Sequence, residues 1–222
     1  MDLRERLSRD AAALGLTLSD HQQERLMAYL ALLQKWNRAY NLSAIRDPRD
    51  MLSLHLIDSL AVAPHLEGTR FADVGTGAGL PGIPLAILFP ERHFHLIDSN
   101  GKKVRFLFQV RTELGLDNVT EQQVRVESLQ LDTGVDGVLS RAFASLADMV
   151  NGCAHLLAPG GRCYAMKGQW PENELSALPK PFKVLAAHTL SVPGVDAERH
   201  LLVLGRDTEI AMTGFAESGL PH

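Results

Sequence analysis

The chain has 222 residues, 45% apolar and 22% charged, with a formal net charge of −4. That length allows one sizeable core with an appended piece, and no apolar run approaches the roughly 20 residues that span a bilayer. The charge balance does not advertise a nucleic-acid partner. Met1-Asp2-Leu3-Arg4-Glu5-Arg6 lacks the apolar stretch of a signal peptide. Cys153 and Cys163, the two cysteines, read as small core residues in a reducing compartment. The expectation is a cytoplasmic protein with no membrane attachment.

The first 66 residues read as helical throughout. Leu3, Leu7 and Leu14 recur on successive turns of a short amphipathic stretch over 2–14. Ser19-Asp20-His21-Gln22 has the form of a capping box opening a long helix. Leu26, Tyr29, Leu30, Leu33 and Trp36 then mark its apolar face. Asp47-Pro48 caps a third helix, which Met51, Leu54, Ile57 and Ala61 carry toward Pro64. Eight acidic and eight basic residues balance in this segment, so it reads as a cap packed on the rest of the chain and not as a basic arm.

From Arg70 short strands alternate with helices, the pattern of a parallel α/β sheet. Strands are expected over 70–74, 93–97, 119–124, 137–140, 162–167, 182–189 and 200–204, and helices over 80–89, 101–114, 145–157 and 172–178. The last two strands have no helix between them, only the turn around Ser191 to Asp196, and so short a link forces an antiparallel pair. The domains expected are a helical cap over 1–66, a sheet domain over 67–207 and a disordered tail over 208–222.

Arg70-Phe71-Ala72-Asp73-Val74 leads into Gly75-Thr76-Gly77-Ala78-Gly79, followed by Leu80 and a helix. Strand, glycine turn and helix together form the nucleotide-binding corner of a doubly wound sheet. Gly77, Gly79 and Gly82 also match a dinucleotide fingerprint, but weakly. A pyrophosphate seeks a helix N-terminus, and Asp73 would oppose that anion. The carboxylate suits a cationic cofactor, and S-adenosylmethionine carries a sulfonium and an ammonium group. Asp98 closes the second strand where an acid can bond ribose hydroxyls. Asp73, Gly75, Thr76, Gly77, Gly79, Leu80 and Asp98 are therefore the expected cofactor residues. Lys102, Lys103, Arg105 and Arg111 form an acid-free run beside them; it could meet phosphate or be a solvated helix face.

The chain resembles the glucose-inhibited division protein B family over roughly residues 20–206. The resemblance rests on Lys35-Trp36-Asn37 with Tyr40-Asn41-Leu42, on His55 through Ser59, on Asp73 through Ala86, and on Gly101 through Leu107. It continues in Arg125-Val126-Glu127, Ser140-Arg141-Ala142, Lys167-Gly168 and Glu198-Arg199-His200-Leu201. It implies a class I adenosylmethionine-dependent methyltransferase fold, a mainly parallel seven-stranded sheet with an antiparallel last hairpin. It further implies methylation of a guanine N7 in 16S rRNA of the small ribosomal subunit or its assembly intermediate, by a monomer. The resemblance adds Val126, Glu127 and Arg141 to the cofactor contacts, and Arg141 could also hold an RNA phosphate; Lys102, Lys103 and Arg105 of the basic run, with Lys167 and Arg199, are the expected RNA contacts. His55 and Asp58 could line the RNA entrance or form a buried pair joining cap and sheet.

Guanine N7 has an in-plane lone pair and no proton to lose, so its methylation needs alignment and no general base. Ser140-Arg141-Ala142-Phe143 lacks the Asn/Asp-Pro-Pro-aromatic run that holds an exocyclic amine, and no Cys stands near that strand end. Neither a catalytic base nor a metal is expected, since no histidines join acids or cysteines at ligand spacing. The alternatives are a small-molecule methyltransferase on the same fold and a non-catalytic adenosine-binding module.

Overall fold

The computed structural model of the chain describes residues 2–207, so the expected tail over 208–222 lies outside the described residues. Helix α1 (Leu3–Ala13) starts at a reciprocal Asp2/Glu5 capping box, and α2 (Asp20–Tyr40) at the Ser19/Gln22 box. Asn41 ends α2 in the left-handed conformation, φ 50°. The third helix departs from a uniform α-helix: α3 (Pro48–Met51) widens to a π-helix over Leu52–Ile57, closes as α4 (Asp58–Leu60), and is followed by a 3₁₀ turn over Ala63–His65. Periodicity of apolar residues does not register a change of pitch, and π segments frequently mark functional sites.

Strands β1 (Arg70–Val74), β2 (His93–Asp98), β3 (Val119–Gln123), β4 (Val135–Ser140), β5 (Leu157–Lys167), β6 (Phe182–Thr189) and β7 (His200–Arg206) form one sheet. Its order is β3-β2-β1-β4-β5-β7-β6, with β7 antiparallel to both β5 and β6 and all other pairs parallel. The intervening helices are α5 (Gly82–Leu88), α6 (Gly101–Leu114), α7 (Leu146–Cys153) and α8 (Glu172–Leu175). Three bounds move. Helix α5 starts at Gly82 with Pro81 as its cap, α8 stops at Leu175, and β5 begins at Leu157. The last reflects a register shift against β4 that accommodates Pro159-Gly160-Gly161 inside a strand, where the sequence reads as a turn.

One apolar cluster contains Leu7, Leu26, Tyr29, Leu33, Leu56, Phe71, Phe94, Phe106 and Tyr164, so the N-terminal helices and one sheet face share a core. A second cluster, with Val138, Met149, Cys153, Cys163 and Leu202, packs α7 on the opposite face. Both cysteines are buried free thiols. Among the described residues no helix is long and apolar enough to cross a membrane, and no group of three or more His, Cys, Asp or Glu could hold a metal ion.

Candidate active site

Ser140 ties the strand ends together at the point where the site begins. Its hydroxyl donates to Val74 O at 2.8 Å and accepts from Ala142 N at 3.0 Å, so the segment leaving β4 turns over the end of β1. Two cavities open there, at the carboxyl edge where open α/β sheets bind ligands. Consecutive residues separate them: Ala142 and Phe143 line a cavity of about 420 Å³, and Arg141 lines another of about 400 Å³.

The first cavity is framed by Gly75, Asp98, Ser99, Lys103, Val126 and Glu127. Gly75, Gly77 and Gly79 all have positive φ, which L side chains rarely adopt. A Cβ on Gly75 would lie 2.6 Å from that of Ala142, and one on Gly79 would lie 2.5 Å from Ile83 Cγ1. At Gly77 a Cβ would have only the Lys103 ammonium and Gly75 O nearby, at 3.9 and 4.0 Å, so glycine there leaves open a space that a side chain would enter. Asp98 Oδ2 accepts from Gly77 N at 2.9 Å and Oδ1 from Asn100 N at 2.9 Å, with Lys103 Nζ 3.5 Å from Oδ2. Tyr29 of the cap supports this loop from behind, donating from its buried hydroxyl to Ala78 O at 2.7 Å.

Asp73, Thr76 and Leu80, expected among the cofactor residues, lie buried at the glycine loop and are absent from the cavity lining. Asp73 is fully buried; its Oδ2 accepts from Thr76 Oγ1 at 2.7 Å and Gly82 N at 2.8 Å, clasping the glycine loop onto α5. Thr76 and Leu80 are buried with it and stand behind the cavity wall. Burial pushes the Asp73 carboxyl up to about 6 against these hydrogen bonds and the Arg141 charge. Its Oδ1 is buried with no partner, an acceptor suited to a donor or cation brought by a ligand. Together with the open space at Gly77 and the acid at the end of β2, that orphaned oxygen fits a cationic adenosine cofactor.

The second cavity lies between cap and sheet. Asp58, on the closing turn of the π segment, accepts from Arg141 Nη1 at 3.0 Å and from Arg199 Nε at 2.8 Å. Arg141 therefore lines this cavity and is absent from the lining of the first; chain adjacency to Ala142 hid the change of side. His55 does not pair with Asp58: its Nε2 is 2.8 Å from Ser43 Oγ and its Nδ1 is 3.1 Å from Leu54 O. Burial and the Arg141 charge hold its imidazole down at about 4, hence neutral.

The expected RNA contacts divide. Lys102 and Arg105 are exposed on α6 with no ion pair among the described residues. Lys103 turns to Asp98 in the first cavity. Lys167 is committed to Glu174 at 2.9 Å and to Ala144 O at 3.3 Å, and Arg199 to Asp58, although both line the second cavity. Arg111 pairs with Glu121 at 2.8 Å. Trp36 and Tyr40 pack with tilted rings, centroids 5.2 Å apart, and Trp36 packs on Phe106 at 5.7 Å. Sequence reading did not single out Ser99, Ala142 or Phe143 as lining residues, nor the Asp58–Arg199 bond, which spans 141 positions.

A doubly wound sheet with an inverted final strand pair, a glycine loop and an acid ending the second strand define a class I methyltransferase. The same fold occurs in TrmN from Thermus thermophilus (TM-score 0.55, 23% identity, 70% of this chain and 53% of that one). It occurs also in a SAM-dependent methyltransferase from Thiobacillus denitrificans solved with S-adenosyl-L-homocysteine (TM-score 0.53, 13% identity, 79% and 98%). Residues 22–202 match the family model described as rRNA small subunit methyltransferase G. Proteins named ribosomal RNA small subunit methyltransferase G are 58% identical over 190 residues in Escherichia fergusonii (86% of this chain, 92% of the relative) and 58% over 199 residues in Saccharophagus degradans (90% and 89%). The chain belongs to the rRNA small subunit methyltransferase G family.

Proposed function

We propose that this chain transfers a methyl group from S-adenosyl-L-methionine to N7 of a guanine in 16S rRNA, acting as a cytoplasmic monomer on the small subunit or its assembly intermediate. The observation that carries this reading is the pair of cavities on either side of Arg141 and Ala142. One has the furniture of an adenosine site, and the other is a cleft walled by guanidinium groups that suits a splayed-out base and its phosphate.

Asp98 would take the ribose hydroxyls, Val126 and Glu127 the adenine, and the backbone of Gly75, Gly77 and Gly79 the amino-acid end. Asp73, Thr76 and Leu80 hold that backbone in shape. When bound, the cofactor supplies an electrophilic methyl group. The chain's own part is to orient the base and exclude water, because N7 has no proton to give up. The titratable groups around the second cavity agree with that role. Both oxygens of Asp58 are taken by arginines, both ring nitrogens of His55 have partners, and His200 lies between Glu198 and Thr189. Lys102 and Arg105 attract the RNA backbone, and residues 1–66 act as a cap that completes the second cavity on the 67–207 domain. Comparison of N7-methylguanine in small-subunit rRNA from cells with and without the gene tests the reading: one modified guanine should vanish, and an unchanged rRNA contradicts it.

A further inference from the structure

We propose that the recess between the C-terminal half of α2 and the loop after it binds an RNA backbone phosphate, making the helical cap part of the RNA-binding surface. The proposal rests on the rRNA reading above and adds a site to it. The recess, of about 290 Å³, is lined by Gln34, Asn37, Arg38, Arg46, Pro48 and Met51, two guanidinium groups with no acid among the lining residues. From Arg25 to Arg46 the chain contains no acidic residue at all. The balanced charge of the first 66 residues therefore conceals an acid-free stretch that supplies both arginines of the recess.

The arrangement is built into the fold. Asn37 is 2% exposed, and its amide donates to Ile45 O at 3.1 Å and accepts from Ser43 N at 2.8 Å, folding the loop back onto α2. Asn41, in its left-handed cap conformation, accepts from Arg46 Nη2 at 2.8 Å and holds that side chain near Arg38. Arg38 itself is exposed and has no ion pair among the described residues. Helix α2 packs on α6, the helix that carries Lys102 and Arg105, through Trp36 and Phe106 at 5.7 Å.

The test measures binding of 16S rRNA across a salt series for the full chain and for Arg38→Glu and Arg38→Gln; the second variant serves where charge reversal unfolds the chain. Expected are an affinity loss of about tenfold and a salt slope shallower by about 0.7 for one phosphate contact, with S-adenosylmethionine affinity and thermal midpoint unchanged. Wild-type affinity and slope in both variants overturn the site alone, whereas a wild-type chain that binds no RNA overturns the functional reading and this site with it. Inorganic phosphate is the second probe. Competition no stronger than that of chloride at equal ionic strength supports the polymer as ligand, and preferential competition assigns the recess to free phosphate and overturns the proposal.

Discussion

Asp58 accepts a hydrogen bond from Arg141 at 3.0 Å, and this contact fastens the helical cap to the catalytic edge of the sheet. The second bond, from Arg199 at 2.8 Å, makes one buried carboxylate the common anchor of three chain segments. Removing the charge leaves two cations side by side. Asp58→Asn should destabilise the fold by about 1–3 kcal/mol, discounted because both arginines are partly exposed. Urea unfolding reads that loss. Methyl transfer should fall further than S-adenosylmethionine affinity, since the anchor belongs to the second cavity; an equal fall in both would return Asp58 to a general structural role.

The two glycines that flank Ala78 should separate binding from folding. In Gly79→Ala the new Cβ lands on Ile83 and Leu107 at positive φ, costing about 2–4 kcal/mol. Gly77→Val meets no such packing and should fold with a penalty of about 1–2 kcal/mol, yet lose S-adenosylmethionine binding by calorimetry. Retained affinity in Gly77→Val would mean that the cofactor does not lie against that residue.

His55 predicts an acid-side loss of stability. The native imidazole stays neutral down to about 4, whereas the unfolded one charges near its ordinary value of 6.5. Between those values the unfolded chain binds more protons, so stability is full above 6.5 and declines as pH falls toward 4, with a ceiling of about 3 kcal/mol. His95, held at about 4 chiefly by burial, acts in the same direction. Denaturation midpoints followed from pH 7 to 4.5 should decline less steeply in His55→Gln; an identical slope would show that His55 does not carry the effect.

The single-turnover rate of methyl transfer should be nearly flat between about pH 6 and 9, because no side chain must accept a proton. Arg141→Ala should lower the rate and leave the profile flat. A sigmoidal rise abolished by changing one His, Asp or Glu would establish a general base and reopen the choice of methylated atom.

The sheet was legible because its strands are short apolar runs separated by glycine or proline punctuation, and the ten residues 190–199, too few for a helical crossover, force the antiparallel end. The glycine loop and Asp98 were equally legible, since those residue types have few other uses in sequence. Side-chain direction was not. Arg141 and Ala142 are neighbours in the chain, yet a turn pinned by Ser140 sends them to different cavities. The charge of Asp73, suited to a cationic cofactor, is visible in the sequence, and its burial is not. Lys167 and Arg199 look free until the fold supplies Glu174 and Asp58. The π segment that positions Asp58 has the same apolar content as an α-helix and leaves no mark in periodicity.

The central claim is that the base in the second cavity is a guanine methylated at N7. Purified chain incubated with methyl-labelled S-adenosylmethionine and 16S rRNA or small subunits, followed by nucleoside analysis of the product, tests it most directly. The account predicts that the label appears in N7-methylguanosine at a single position. Label in any other nucleoside, or in no RNA at all while a small molecule accepts it, would contradict the account.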